Sequence, residues 1–138
     1  MTAPHIHRIR LQGPWQVIPP GEERFALQEV WLPATWTDLF GQSVGTATFL
    51  RSFNSPTNID EQDRLWIRLP PGCGEVMSFL HNGVSLNADS ADPMAFEITS
   101  TREIHNRIEI TLTGDPSAFA PGEGGLWQPV LLEIVSGG

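Results

Sequence analysis

The sequence predicts an all-β protein, a β-sandwich of the jelly-roll type. No window keeps apolar residues at helical spacing over three turns, whereas about nine short runs have the alternation or β-branched and aromatic content of strands. Turn signals separate these runs, and the 138 residues include 13 glycines and 12 prolines to supply them. Many short strands with regular turns are typical of sandwiches of this kind.

The predicted strands follow one another along the whole chain. Asn82-Gly83 predicts a tight hairpin, since both turn residues must accept positive φ. Leu65, Ile67 and Leu69 alternate with Arg64 and Arg68, which predicts a strand with one buried face. The segment 34–45 is predicted to be irregular, with room for one helical turn. In order, the predicted strands are 6–11, 13–18, 25–32, 46–53, 64–69, 75–81 with 84–86, 94–98, 108–112 and 126–134.

The last of these strands is the one around which the sequence is organised. Gly124 and Gly125 precede it, and glycine lets another backbone or a ligand approach closely. Apolar residues then fall on both faces, which predicts an inner strand covered on both sides. Pro129 cannot donate to a ladder, so we expect a break, a bulge or a free edge there.

Composition limits the classes of partner. The chain fits one domain spanning 1–138, with 1–5 as a loose arm. A formal net charge of −8 repels phosphate backbones and anionic lipid, so neither nucleic acid nor a membrane is an expected partner. Cys73 is the single cysteine, and no signal peptide or membrane-spanning run is present, so we expect a cytoplasmic protein. A mature chain that had lost a signal peptide would look the same.

An ordered set of short motifs resembles the N-terminal sugar-binding jelly-roll domain of glycoside hydrolase family 2, the β-galactosidase and β-glucuronidase family. This domain belongs to the galactose-binding-like folds, and the resemblance covers roughly residues 11–135. The motifs are Leu11-Gln12-Gly13-Pro14-Trp15, Leu32-Pro33-Ala34-Thr35-Trp36, Gly45-Thr46-Ala47-Thr48-Phe49-Leu50-Arg51-Ser52-Phe53, Leu80-His81-Asn82-Gly83, Phe96-Glu97-Ile98-Thr99, Asn106-Arg107-Ile108-Glu109-Ile110 and Gly124-Gly125-Leu126-Trp127-Gln128-Pro129-Val130.

The chain also departs from that family. The family's acid/base and nucleophile glutamates lie on a separate (β/α)8 barrel, for which this chain has no residues. Arginine is usual where Gln128 stands, and 68–79 lacks the usual aromatic-Gly-Val step. The resemblance therefore implies the fold and a non-catalytic chain.

Tryptophans are the first candidates for a sugar site, because apolar sugar faces stack on indoles. For Trp15, Trp31 and Trp127 we favour core packing. Trp66 shares a face with Arg64 and Arg68 and is expected to be accessible, and the loop residue Trp36 is the leading candidate, although packing is as plausible there. The candidate sugar-binding residues are Trp36, Asp38, Trp66, Asp115 and Glu123.

Loop carboxylates are the second group of candidates. Asp89, Asp92, Asp115 and Glu123 lie in loops that could converge at one end of a sandwich. Such a group could catalyse glycoside hydrolysis or hold a structural Ca²⁺, although solvated loop charge is the favoured interpretation. No other cofactor is expected.

Histidine and cysteine give weaker signals. Spacing suitable for a metal is confined to His5-x-His7, and His105 is expected on a solvent face. Cys73 would need a base to act as a nucleophile, and His81 is the candidate nearest in sequence, but an inert cysteine is favoured.

Two functions remain nearly equal at this point. The first is a non-catalytic carbohydrate-binding module for a galactoside or glucuronide-type sugar. The second is a structural or protein-interaction sandwich without a sugar site, which a homodimer could complete. A small hydrolase using Asp115 and Glu123 is a third and weaker hypothesis.

Overall fold

A computed structural model describes residues 5–23 and 25–137, and in these ranges the protein is a β-sandwich. Four strands form one antiparallel sheet in the order β1-β10-β5-β8, and six form the other in the order β3-β2-β4-β9-β6-β7. The strands are β1 (Ile6–Arg10), β2 (Gly13–Ile18), β3 (Gln28–Leu32), β4 (Gly45–Asn54), β5 (Arg64–Arg68), β6 (Glu75–His81), β7 (Val84–Ser85), β8 (Ala95–Glu97), β9 (His105–Gly114) and β10 (Leu131–Val135). This architecture confirms the predicted fold class.

Three short helical segments interrupt the strands. Helix α1 (Trp36–Phe40) lies in the segment predicted to be irregular, and Thr35 caps it by accepting a hydrogen bond from the Asp38 amide at 3.0 Å. Single 3₁₀ turns follow β8 at Thr99–Thr101 and β9 at Pro116–Ala118. The second turn begins the loop that leads to the glycine pair.

The core lies between the sheets and draws on nearly every strand. Strand β9 alternates most regularly, with Ile108, Ile110 and Leu112 fully buried. From the facing sheet, Leu65 and Ile67 of β5 and Leu132 of β10 complete the layer. Phe79 and Phe96 stack across the two sheets with ring centroids 4.3 Å apart. Burial of this apolar surface is the main force that holds the sheets together.

Several predicted strand limits are wrong, each for a local reason. The predicted strand 126–134 is in the ladder only from Leu131, which confirms the break expected at Pro129, since proline has no amide hydrogen to donate. The predicted strand 25–32 pairs only from Gln28 onward. Residues 1–4 of the predicted loose arm lie outside the described residues, but His5 is held by Ser136, whose amide donates to the His5 carbonyl at 2.9 Å.

The burial of the tryptophans expected in the core follows the prediction only in part. Trp15 is fully buried, as expected, and its indole Nε1 donates to the Leu11 carbonyl at 2.9 Å. Trp31, expected in the core, is 70% exposed because β3 is an edge strand and Trp31 faces away from the core side occupied by Leu32. Trp127 is half-buried, with Nε1 donating to the Pro71 carbonyl at 2.7 Å.

A buried polar cluster ties β6 to β9. His81 is fully buried, with Nε2 3.0 Å from Asn106 Oδ1 and Nδ1 hydrogen-bonded to the Thr101 hydroxyl. Asn82 joins the cluster, and its side-chain oxygen accepts a hydrogen bond from the Arg107 amide at 2.9 Å. Burial lowers the pKa of His81 from its ordinary value, because the interior disfavours imidazolium, although Asn106 and Glu103 oppose the shift.

We expect Trp15→Ala to lower the free energy of unfolding by about 3–5 kcal/mol, because it leaves a cavity between the sheets. Trp31→Ala should change it by less than about 1 kcal/mol, since most of that side chain is already in water. Urea denaturation followed by circular dichroism measures both values. Equal losses in the two variants would contradict the placement of Trp31 on an exposed edge.

We also expect the melting temperature to fall as the pH is lowered through about 6.5, the ordinary pKa of histidine. The unfolded chain then binds a proton at His81 that the folded chain rejects, so stability is fully present above this pH and declines below it. Calorimetry between pH 7.5 and 5 measures the slope of melting temperature against pH. Ordinary carboxylates titrate at about pH 4, below this range, so they contribute little to the slope. His81→Gln should flatten this slope, whereas His105→Gln, at an exposed position, should retain it. A melting temperature of the parent protein that does not change with pH would refute the assignment of the slope to His81.

Candidate functional site

An open cleft of about 560 Å³ lies where β6, β9 and the last long loop meet. We call it the acidic cleft, because Glu75, Asp115 and Glu123 line it together with Val44 and Phe119. Among the described residues, its lining includes three carboxylates and no basic side chain. Two of the predicted sugar-binding residues, Asp115 and Glu123, are therefore brought together here.

Asp115 is fixed by the turn that it starts. Its carboxylate accepts hydrogen bonds from the Ser117 amide at 2.9 Å and the Ser117 hydroxyl at 2.7 Å. These bonds favour the charged form and lower the pKa of Asp115 from its ordinary value. Asp115 is thus an ionised acceptor at neutral pH.

Glycines set the walls of the cleft. A Cβ on Gly124 would stand 2.3 Å from the Phe119 ring, and one on Gly72 would stand 2.8 Å from Glu123 Oε2. Both glycines have positive φ, which glycine adopts without the usual steric cost. The Phe119 ring and the Glu123 carboxylate therefore occupy space that a side chain at position 124 or 72 would need.

Trp36 lies beneath this cleft and is fully buried, so the expectation that its indole forms an accessible sugar platform is wrong. Its Nε1 donates to the Ser43 carbonyl at 2.9 Å, and its ring packs edge-on against Phe40. A Cβ on Gly114 would be 2.8 Å from the Trp36 ring. The packing interpretation, held open for this residue, is the correct one.

Asp38 sits in α1 and is exposed. Its amide is used by the helix cap, and its side chain is not among those that line the acidic cleft. The structure therefore separates this predicted site residue from Asp115 and Glu123.

Trp66 lies elsewhere, on the outer face of the four-stranded sheet, and is half-buried. In register it stands between Glu133 of β10 and Glu97 of β8. Glu133 is buried and accepts from Arg8 at 2.8 Å and from Arg68 at 3.0 Å. Trp66 is thus flanked by ion pairs and does not line the acidic cleft.

The four predicted loop carboxylates do not form one group. Asp92 forms an ion pair with Arg68, whose guanidinium lowers the Asp92 pKa. The backbone of Asp89 pairs with that of Asp92 in an isolated antiparallel β-bridge. Asp115 and Glu123 line the acidic cleft instead. Over residues 5–23 and 25–137, no three His, Cys, Asp or Glu side chains are grouped so as to hold a metal ion, so the Ca²⁺ hypothesis gains no ligand set there.

Cys73 and His81 have separate surroundings. Cys73 is buried, its sulfur lies 3.8 Å from the Met94 sulfur, and burial raises its pKa. The hydrogen bonds of the His81 ring go to Thr101, Asn106 and Asn82. An unreactive thiol is expected from such burial.

Two residues of the cleft were missed in the sequence. Glu75 begins β6 and Phe119 follows the 3₁₀ turn, so neither belongs to a recognisable motif. The available signal was the run of glycines at 72, 74 and 124, because closely spaced bare backbone often receives a neighbouring side chain.

No protein-family model matches the sequence, and no curated protein matches it significantly. Within the described ranges, no helix is long and apolar enough to cross a membrane.

Solved structures match the fold closely at low sequence identity. A β-glucuronidase from Ruminococcus gnavus, solved with uronic isofagomine, superimposes with a TM-score of 0.73 and 14% identity, over 98% of this chain and 30% of that one. A rhamnosidase from Novosphingobium sp. PP1Y gives 0.70 and 20%, over 97% of this chain and 16% of the enzyme. A β-glucuronidase from glycoside hydrolase family 2 gives 0.67 and 16%, over 97% and 18%.

These matches span nearly all of this chain but only 16% to 30% of those three enzymes. The resemblance read from the sequence motifs is confirmed at the level of fold. The chain therefore has the β-sandwich fold of one domain-sized portion of glycosidases that include a β-glucuronidase of glycoside hydrolase family 2.

Proposed function

We propose that this protein is a non-catalytic carbohydrate-binding module whose sugar site is the acidic cleft. The observation that carries the proposal is the meeting of the Phe119 ring with the Asp115 and Glu123 carboxylates in one open cleft. An aromatic face packs against the C–H face of a sugar, and carboxylates accept hydrogen bonds from its hydroxyls. Sites of this kind combine an apolar wall with a few fixed polar groups.

The charge of the cleft selects among sugars. Glu75, Asp115 and Glu123 would repel a uronate, and no arginine in the described part of the chain lines the cleft to compensate. Of the two sugar classes that the sequence suggested, we therefore favour a neutral galactoside over a glucuronide. The β-glucuronidases with the same fold do not carry their substrate preference over to this chain, because fold does not determine ligand.

Asp115 is poorly suited to be the acid of a glycosidase. A glycosidase needs one carboxyl that holds a proton at working pH, which usually requires a raised pKa. The Ser117 hydrogen bonds act in the opposite direction on Asp115. The carboxylate of Asp115 is therefore better suited to accept hydrogen bonds from a ligand than to donate a proton to it.

We expect Glu123→Gln to weaken the binding of methyl β-galactoside about 10-fold, since a hydrogen bond to a charged acceptor is replaced by a neutral one. Chemical-shift titration by NMR suits weak binding and also shows where the sugar lies. Glu61→Gln, at an exposed position outside the cleft, is the matched control.

Methyl β-glucuronide should bind less tightly than methyl β-galactoside, and Glu123→Gln should narrow that difference. The proposal fails if millimolar galactoside shifts no resonance of the cleft residues, or if Glu61→Gln weakens binding as much as Glu123→Gln does.

The alternative function is a protein-interaction sandwich that forms a homodimer. It is favoured by a different observation, the 70% exposure of Trp31 on the edge strand β3. An unpaired strand edge with a large apolar side chain invites pairing with a second copy. Neither Asp115 nor Glu123 would be needed for this role.

On this alternative, sedimentation velocity should detect a dimer whose dissociation constant rises at least 10-fold in Trp31→Arg, because a charge would be placed in the interface. Met77→Arg is the control, since Met77 is 55% exposed on a different strand. A parent protein that stays monomeric at several hundred micromolar would remove the dimer from consideration.

A further inference from the structure

A second cavity of about 560 Å³ lies on the outer face of the six-stranded sheet and shares no lining residue with the acidic cleft. Strands β4 and β9 supply its floor through Thr48, Leu50 and Thr111, and the loop after β2 supplies its rim through Phe25 and Leu27. We call this cavity the sheet groove. Its volume lies within the range of about 300–1,000 Å³ found for ligand sites.

The apolar side of the groove is separate from the main core between the two sheets. Leu50 is only 6% exposed, although it lies outside the main core cluster, so the loop after β2 covers part of the outer face. Phe25 belongs to that loop and is 88% exposed. Its ring stands at the rim without covering the floor, as an aromatic surface open to a ligand.

The polar side of the groove is made of hydroxyl groups. Thr48 and Thr111 both line the groove and are hydrogen-bonded through their side chains at 3.1 Å, and the lining residue Thr46 is bonded in the same way, at 3.2 Å, to Thr113, which lies outside the groove lining. In each pair one hydroxyl hydrogen is used, which leaves a second hydrogen and further lone pairs for a ligand. A row of groups that both donate and accept matches the hydroxyls of a sugar.

One end of the floor carries a charged pair of both signs. Arg107 Nε lies 3.7 Å from Glu109 Oε1, and both residues line the groove. A guanidinium donates hydrogen bonds and a carboxylate accepts them, so adjacent hydroxyls of one ligand can satisfy both. Glu22 also lines the groove, so the described lining holds two carboxylates and one guanidinium, which disfavours an anionic ligand and accepts a neutral one.

We propose that the sheet groove binds a neutral oligosaccharide that lies across β4 and β9, with one sugar ring stacked on Phe25. The proposal is independent of the acidic cleft, because the two sites share no residue. A second copy of the chain would be a poorer occupant, since the paired threonines and the Arg107–Glu109 pair would have to be desolvated.

The experiment is affinity titration by calorimetry with four probes: the β-1,4-linked hexasaccharides of glucose, xylose and mannose, and the α-1,4-linked hexasaccharide of glucose. At least one probe should bind, and Phe25→Ala should weaken it at least 10-fold. Thr48→Val should weaken it several-fold by removing a hydroxyl at nearly constant volume. Ile104→Ala is the matched control, because Ile104 is 77% exposed and does not line the groove.

Glu123→Gln separates this proposal from that for the acidic cleft. Loss of hexasaccharide binding in Phe25→Ala but not in Glu123→Gln supports the sheet groove. Three results overturn it: loss of hexasaccharide binding in Glu123→Gln alone, unchanged binding in both Phe25→Ala and Thr48→Val, or no binding of any of the four probes by the parent protein. A Phe25→Ala variant that loses self-association instead of sugar binding, measured by sedimentation, assigns the groove to a second copy and also overturns the proposal.

Discussion

The fold depends on one close approach, that of the glycine-rich segment before β10 to the Trp36 side chain and backbone. The Trp36 amide donates to the Gly124 carbonyl at 2.9 Å, and a Cβ on Gly125 would meet the Trp36 backbone at 3.2 Å. The Gly125 amide in turn donates to the Cys73 carbonyl at 2.9 Å. A single pair of residues without side chains thus joins α1, the turn after β5 and the final strand.

This contact also positions the acidic cleft. Because Gly124 and Gly114 let aromatic rings pack directly on backbone, Phe119 is held at the surface while Trp36 fills the space below. The two rings lie 6.1 Å apart between centroids, so the wall of the cleft rests on the core. The loop from Asp115 to Glu123 is therefore shaped by packing as well as by its own turns, and its carboxylates face solvent from a rigid base.

The architecture could be read from the sequence because alternation and turn residues act locally. Asn82-Gly83 and the alternating run from Arg64 to Leu69 gave the right elements for reasons contained within a few residues. The placement of Trp36 and Trp31 could not be read in this way. Whether an indole is covered depends on which strand becomes an edge and which loop folds back, and both are decided by contacts distant in sequence.

The candidate site was predictable only in part for the same reason. Asp115 and Glu123 border one loop, so their proximity could be anticipated, whereas Glu75 and Phe119 reach the cleft through pairing and packing. Asp92 illustrates the other limit, because the sequence allowed this loop carboxylate to join the cluster, whereas in the structure it pairs with Arg68. Local sequence does not specify the partner of a charged side chain.

The proposed ligand preferences of this chain depend on the charged side chains that line two of its surfaces. Sandwich geometry survives at 14% to 20% identity because many apolar combinations fill the same core. The three carboxylates of the acidic cleft disfavour an anionic ligand, which is the basis of the proposed preference for a neutral sugar there. On the sheet face, Arg107 and Glu109 supply a donor group and an acceptor group, which also suit the hydroxyls of a neutral sugar. Both proposals therefore rest on the side chains that line each surface, and the strands beneath them do not determine which ligand is bound.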